Sequence, residues 1–199
     1  MIDYATTQNL PEAFFTTAGD YPSKPFLGVT QDGAWRPMDW SSVAAQVSEL
    51  SRGLRALWLK PGDRVAIVSE NRPEWVVADL AVMSAGGITV PAYTTNTVDD
   101  HLHVLSDSGA KMAIVSTARL AKNLIPAAKR AMNTDIVIAI EPVPSDEQGL
   151  HVVRWEDTLQ KGREQPDDVS RQIAAINRTD TSCIIYTSVT GGNLPANVI

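Results

Sequence analysis

The sequence has one cysteine, Cys183, among 199 residues, so no disulfide can form within the chain. A reducing compartment suits such a composition. Positive charge is also in short supply: 17 Lys and Arg stand against 23 Asp and Glu, a net charge of −6. A mildly acidic surface does not attract a phosphate backbone, and nucleic acid is not expected as a partner. No apolar run approaches the roughly 20 residues needed to span a bilayer. The opening Met1-Ile2-Asp3-Tyr4 has neither the basic n-region nor the apolar stretch of a signal peptide. A cytoplasmic location is the expectation, with peripheral membrane contact left open. No internal repeat of a few tens of residues is visible.

What remains is an ordinary globular composition, 44% hydrophobic and 20% charged, in a chain long enough to bury its own core without staples. Residues 9–19 read as a short helix with Leu10, Phe14, Phe15 and Ala18 on one face. Two short strands follow, Pro25 to Val29 and Trp35 to Met38, joined through Gln31-Asp32-Gly33, since Asp-Gly is a strong tight-turn signal. Trp40, Val43, Val47, Leu50, Leu54 and Leu57 then recur at spacings of three and four. That spacing is the single apolar stripe of a long helix, with Asp39 as N-cap and Pro61-Gly62 as its stop.

From here the chain alternates. Short apolar runs at Arg64 to Ser69, Thr89 to Ala92, Met112 to Val115 and Ile136 to Ile140 read as strands. Between them lie helical stretches: Pro73 to the Gly86-Gly87 stop, Val98 to Ser106, and Thr117 to Met132. Strands apolar on both faces and separated by helices predict an α/β fold: a mostly parallel sheet with helices on both faces. Residues 141–150 read as a surface loop, Trp155 to Lys161 and Val169 to Ile176 as short helices, and Thr181 to Thr187 as a last apolar strand.

That last strand runs into Thr187, Ser188, Thr190, Gly191 and Gly192. Small residues let backbone N–H groups approach an anion, hydroxyls add donors, and glycines accept the backbone angles required. The loop is neither a Walker motif, since no Gly-Lys-Ser/Thr follows, nor a dinucleotide fingerprint. A plain turn is the competing local reading.

The segment resembles the signature Tyr-Thr-Ser-Gly-Thr-Thr-Gly-x-Pro-Lys-Gly of the adenylate-forming (AMP-binding) superfamily. Aligned without gaps, the chain keeps Tyr186, Thr187, Ser188, Thr190 and Gly192 and departs at Val189, Gly191, Leu194, Pro195 and Ala196. Pro61 to Ser116 is similar to the long-chain fatty acid–CoA ligase branch of that superfamily. The Gly-Asp-Arg-Val-Ala-Ile strand, the Ser-Glu-Asn-Arg-Pro-Glu-Trp helix start and the Gly-Gly…Val-Pro-x-Tyr turn carry this second resemblance.

The resemblance implies part of the large N-terminal domain of an adenylate-forming enzyme, here a truncated AMP-binding domain over residues 1–199. It implies ATP and Mg2+ as cofactors, CoA as co-substrate and a long-chain fatty acid as substrate. The ATP phosphates fall to Thr187, Ser188, Thr190, Gly191 and Gly192. It also implies that the adenine contacts, the magnesium-binding glutamate, most of the acyl pocket and the C-terminal catalytic lysine lie beyond residue 199. No catalytic residue or metal ligand is therefore assigned to this chain. Val189 puts a β-branched side chain where the signature has glycine, and Pro195 removes both a cation and an N–H where it has lysine. Two readings follow: a fragment inactive alone, or the non-catalytic half of a split ligase that assembles with a separately encoded remainder.

The remaining chemistry-bearing residues read as structural. His101 and His103, two apart on a helix, face different sides and do not make a metal pair. Cys183 lies in an apolar strand and reads as packing. Trp40 and Trp75 read as core, Tyr93 as structural at a strand end, Glu70-Asn71-Arg72 as a polar helix cap, and Asp99-Asp100 as a first-turn acidic pair.

Overall fold

Five short strands lie side by side in one parallel sheet, in the computed structural model, which describes residues 5–143, 149–187 and 196–198. They are β3 (Arg64–Val68), β4 (Ile88–Pro91), β5 (Met112–Val115), β6 (Ile136–Ala139) and β7 (His151–Arg154). Their order across the sheet is β4-β3-β5-β6-β7, every neighbouring pair parallel. The four apolar runs expected as strands are all present. The fifth, β7, lies just past the proline-rich segment and was not expected. It is an edge strand, and of its four residues Val153 alone is buried, so it has no continuous apolar run to reveal it.

Side-chain alternation divides the sheet into two faces. Val65, Ile67, Met112, Ile114, Ile136, Ile138 and Val153 belong to one core, packed by α1 (Leu10–Asp20), α2 (Trp40–Ala56), α3 (Pro73–Ser84) and α6 (Trp155–Arg163). Ala66, Val68, Ala113, Val115, Val137 and Ala139 belong to the other, packed by α4 (Val98–Ser108) and α5 (Ala118–Arg130). The expected two-sided covering is thus observed, and it follows from the crossovers. The connection from β3 to β4 runs one way along the sheet over one face; those from β4 to β5 and β5 to β6 run the other way over the opposite face. The direction of winding reverses between β3 and β5.

The helix boundaries follow their local chemistry. Asp39 accepts from the Ser42 N–H at 2.7 Å and starts α2. Thr97 and Asp100 form a reciprocal capping box at α4, so the acidic first turn is a working cap. Gly109, in the left-handed region at φ 62°, ends that helix. Pro73 sits in the first turn of α3 as expected. The Glu70-Asn71-Arg72 run is not the cap it was expected to be: Arg72 occupies the N-cap position without a side-chain cap bond, and its guanidinium serves ion pairs instead. Beside the sheet, β1 (Pro25–Gln31) and β2 (Ala34–Asp39) form the expected hairpin, and Trp40 stacks on Phe26 with ring centroids 3.8 Å apart.

Candidate functional site

The last apolar strand is shorter than the sequence suggested. β8 (Ile184–Tyr186) lies beyond the β4 edge, joined to it where the Thr89 N–H donates to the Ser182 carbonyl at 3.1 Å and Thr89 bridges Cys183 in parallel sense. The carboxyl end of β8 therefore points the same way as the carboxyl ends of the sheet. In open α/β sheets, ligands bind outside those ends. A strand not foreseen from the sequence, β9 (Ala196–Val198), pairs antiparallel with β8 in the register Tyr186↔Ala196. The strand pair thus brackets the Ser/Thr/Gly segment on both sides.

Of the residues expected to hold phosphate, Thr187 is exposed immediately after the buried Tyr186. Ser188, Thr190, Gly191 and Gly192 lie outside the described residues. Tyr186 fixes where that segment starts. Its ring packs against Val90 and Val104, with the His103 ring edge-on at 5.9 Å. Its hydroxyl donates to Asp107 Oδ2 at 2.7 Å. Burial, and then that bond to a carboxylate, push the phenol well above its usual range, so it stays a donor throughout the physiological pH range. Removing the hydroxyl with Tyr186→Phe is expected to cost about 1 kcal/mol, because Asp107 is exposed and regains water. Chemical denaturation measures this, and hydrogen exchange at Ile184 to Tyr186 is expected to quicken in step.

The carboxyl ends of the strands also carry a charged brace. Ser116, fully buried after β5, donates to Glu70, which follows β3; Arg119 adds a 2.8 Å bond to the same carboxylate. The Ser116 bond first, against a smaller opposing effect of burial, holds the Glu70 carboxyl below its ordinary value. Arg72 donates to Glu74 at 2.9 Å and to Glu141, past β6, at 2.9 Å. Burial pushes the Glu74 carboxyl up, but the Arg72 hydrogen bond, a backbone hydrogen bond and the Arg72 charge together hold it below its ordinary value. A cleft of about 340 Å³ opens here, bordered by Val29, Met38, Gln46, Glu70, Arg72 and Thr117. Each of these ionic groups is engaged by an opposite one, so the cluster ties the ends of β3, β5 and β6 together and is not a poised acid–base pair. Partners separated by 46 and 69 positions in the chain gave the sequence reading no signal for it.

Two further clefts flank this arrangement. One of about 620 Å³ runs between Trp35 and Trp75, beside Arg72. Another, of about 600 Å³, lies at the amino end of the strands, between Leu10, Pro61, Met83, Ile88 and Ile176. The latter is at the wrong end of the sheet to share a ligand with Thr187. Among the described residues no group of three or more His, Cys, Asp or Glu side chains could hold a metal ion. Tyr93 is half exposed, at the carboxyl end of β4. His101 is buried and His103 faces Tyr186, so the two point apart as expected. Cys183 is partly exposed, not buried as packing; burial, and then the nearby Asp79 charge, raise its thiol pKa.

Residues 14–195 match the AMP-binding enzyme family. The chain belongs to that family. Its curated relatives include long-chain-fatty-acid–CoA ligases. FadD15 of Mycobacterium tuberculosis is 30% identical over 170 residues, which is 81% of this chain and 26% of FadD15. ACSBG2 of Rattus norvegicus is 26% identical over 191 residues, 96% of this chain and 29% of that protein. The AMP-binding family member described here thus spans about a quarter of the length of those relatives. Solved structures share its fold. The adenylation domain of a Mycobacterium chelonae carboxylate reductase superposes with a TM-score of 0.80 at 16% identity, over 98% of this chain and 35% of that one. The Klebsiella oxytoca NpsA N-terminal subdomain gives 0.67 at 22% identity, over 96% and 41%. Among the described residues no helix is long and apolar enough to cross a membrane.

Proposed function

We propose that this chain is the phosphate-loop-bearing first part of a long-chain fatty acid–CoA ligase, and that it does not complete the reaction alone. The observation that carries the reading is the β8–β9 pair. It leaves Thr187 exposed at the carboxyl side of a parallel sheet, at the start of a Ser/Thr/Gly segment. The ligase relatives supply the substrate class, a long-chain fatty acid and CoA, and the AMP-binding family supplies the nucleotide, read as ATP.

In that reaction a carboxylate oxygen attacks the α-phosphorus of ATP and pyrophosphate leaves. The CoA thiolate then attacks the acyl carbonyl and AMP leaves. The hydroxyls of Thr187, Ser188 and Thr190, with the N–H groups of Gly191 and Gly192, would donate to the phosphate oxygens. An exposed threonine beginning a run of small residues fits that task. Magnesium, when bound with the nucleotide, would supply positive charge against the phosphates.

Inactivity alone is supported by the length ratio and by Val189 and Pro195, which remove a close approach and a cation. The isolated chain, given ATP, Mg2+ and palmitate, is expected to release no pyrophosphate and to form no acyl-hydroxamate above the protein-free blank. Robust turnover would overturn the proposal.

A further inference from the structure

Trp58 follows the last turn of α2 in the left-handed region, at φ 69°. Its N–H donates to the Arg55 carbonyl at 2.9 Å, and the Leu59 N–H donates to the Leu54 carbonyl at 3.1 Å. These are the two bonds of a Schellman helix stop, and glycine is the usual residue at its left-handed position. A tryptophan there strains the backbone, because its Cβ crowds the carbonyl that follows. Burial does not offset the strain, since Trp58 is 76% exposed. The indole instead walls a cleft of about 450 Å³, a size typical of small-molecule sites. The floor of the cleft is Leu57, Met112 and Ile136, all buried. Its rim carries Lys60, Asp63, Lys111, Asp135 and His151. The rim stands on a fixed frame that continues the sheet at its amino end. The Lys111 N–H donates to the Arg64 carbonyl at 2.9 Å, the Asp135 N–H to the Lys111 carbonyl at 3.1 Å, and the His151 N–H to the Asp135 carbonyl at 3.1 Å. The Asp63 carboxylate accepts from the Lys60 N–H at 2.9 Å. None of the ion pairs among the described residues involves Lys60, Lys111 or Asp135.

We propose that this cleft binds a nucleoside monophosphate, at a second site on the opposite end of the sheet from Thr187. The proposal does not rest on the ligase reading. Three chemistries meet in the cleft. The exposed indole offers a planar base a face to stack on. The Lys60 and Lys111 ammonium groups bring charge and N–H donors to a phosphate. The Asp135 carboxylate accepts from ribose hydroxyls, as an acidic side chain does in dinucleotide sites. The mixed charge of the rim disfavours other small ligands. Asp63 and Asp135 repel an inorganic anion or a fatty carboxylate, which has no hydroxyls to meet them. The two lysines repel an organic cation stacked on the indole. Backbone strain held at a ligand clamp is a recurring arrangement, and here it sets an aromatic ring at the edge of the cleft.

The test titrates AMP into the full chain and follows tryptophan fluorescence and calorimetric heat. Saturable binding is expected, tighter by about tenfold or more than that of adenosine or inorganic phosphate alone. Trp58→Gly separates a ligand-binding indole from a structural one. Glycine relieves the strain, so the variant is expected to melt at a higher temperature than the unsubstituted chain. It is also expected to bind AMP about tenfold or more weakly, through loss of the stacking face. Lys60→Ala and Lys111→Ala, each checked by thermal melting to be folded, are expected to weaken AMP about fivefold or more and to leave adenosine unchanged. Asp135→Asn is expected to weaken both ligands. Thr187→Val, at the other end of the sheet, is expected to leave the fluorescence change intact. Absence of saturable AMP binding overturns the proposal. So does binding that is indifferent to Trp58→Gly, or that Thr187→Val abolishes, since the nucleotide would then sit at the carboxyl end of the sheet. A Trp58→Gly chain that melts lower would assign the indole to the fold and overturn the proposal as well.

Discussion

Gly162→Ala is expected to destabilise the chain by about 3 kcal/mol, although alanine is the better helix former. A Cβ built on Gly162 would lie 1.7 Å from the Glu49 carbonyl oxygen, and one on Gly53 would lie 2.1 Å from the Thr158 carbonyl oxygen. Two helices, α2 and α6, thus meet backbone to backbone through a glycine on each side. The gain in helix propensity is at most about 1 kcal/mol. The clash is with main-chain atoms, which no rotamer change relieves, so the helices must part. Around the contact Leu50, Leu54, Trp155 and Leu159 are buried in one core, and separation loosens all of them. The urea midpoint is expected to fall with an unchanged slope. Gly19→Ala in α1 is the control: nothing lies within 4 Å of its Cβ position, and a gain of about 0.5 kcal/mol is expected. Equal effects of the two substitutions would mean that the α2–α6 approach is not tight.

This contact illustrates what the sequence could and could not disclose. The long helix at 40–57 was legible because six apolar residues repeat with one period, and the four inner strands because burial on both faces makes a run with no polar interruption. β7 was not, since an edge strand buries little. Glycines 53 and 162 were visible as residues, but their meeting is a tertiary fact with no local signature. The candidate site divides in the same way. The strand leading into Thr187, and the chemistry of the segment after it, could be read from residue types and a family signature. The hydrogen bond that anchors Tyr186 to Asp107, 79 positions away, could not. Nor could the crossing of Glu70 to Ser116 and Arg72 to Glu141, which depends on the strand order reversing between β3 and β5. Position along the chain also hid the chemistry of Asp79: in sequence it is one acid in an apolar helix, and only the placing of β8 shows that it faces Cys183.

Mild acid is expected to weaken the fold through His101. The imidazole is 1% exposed, one turn before the buried Leu105, and burial pushes its pKa down to about 4, against a smaller opposing pull from Asp100. The unfolded chain holds this histidine near 6.5. Between those two values the unfolded state binds more protons, so stability falls as pH falls from about 6.5 to about 4 and levels off below. The full drop is on the order of 3 kcal/mol, the free energy of about two and a half pKa units. Carboxylates held below their ordinary values, Glu70 and Glu74 among them, begin to lose their contribution as pH falls through about 5, because their unfolded values lie near 4.5, and the loss continues below pH 4 in both proteins alike. Asp79 has the opposite sign, its raised carboxyl pKa favouring the fold as it protonates. Comparing His101→Leu with the unsubstituted chain cancels that contribution. The variant, close in volume and never charged, is expected to lose about 2–3 kcal/mol less than the unsubstituted chain between pH 7 and pH 4, measured from urea midpoints at each pH. Parallel stability profiles for the two proteins would show that His101 is solvated in the native state, and would remove the buried imidazole from the account of the α4 core.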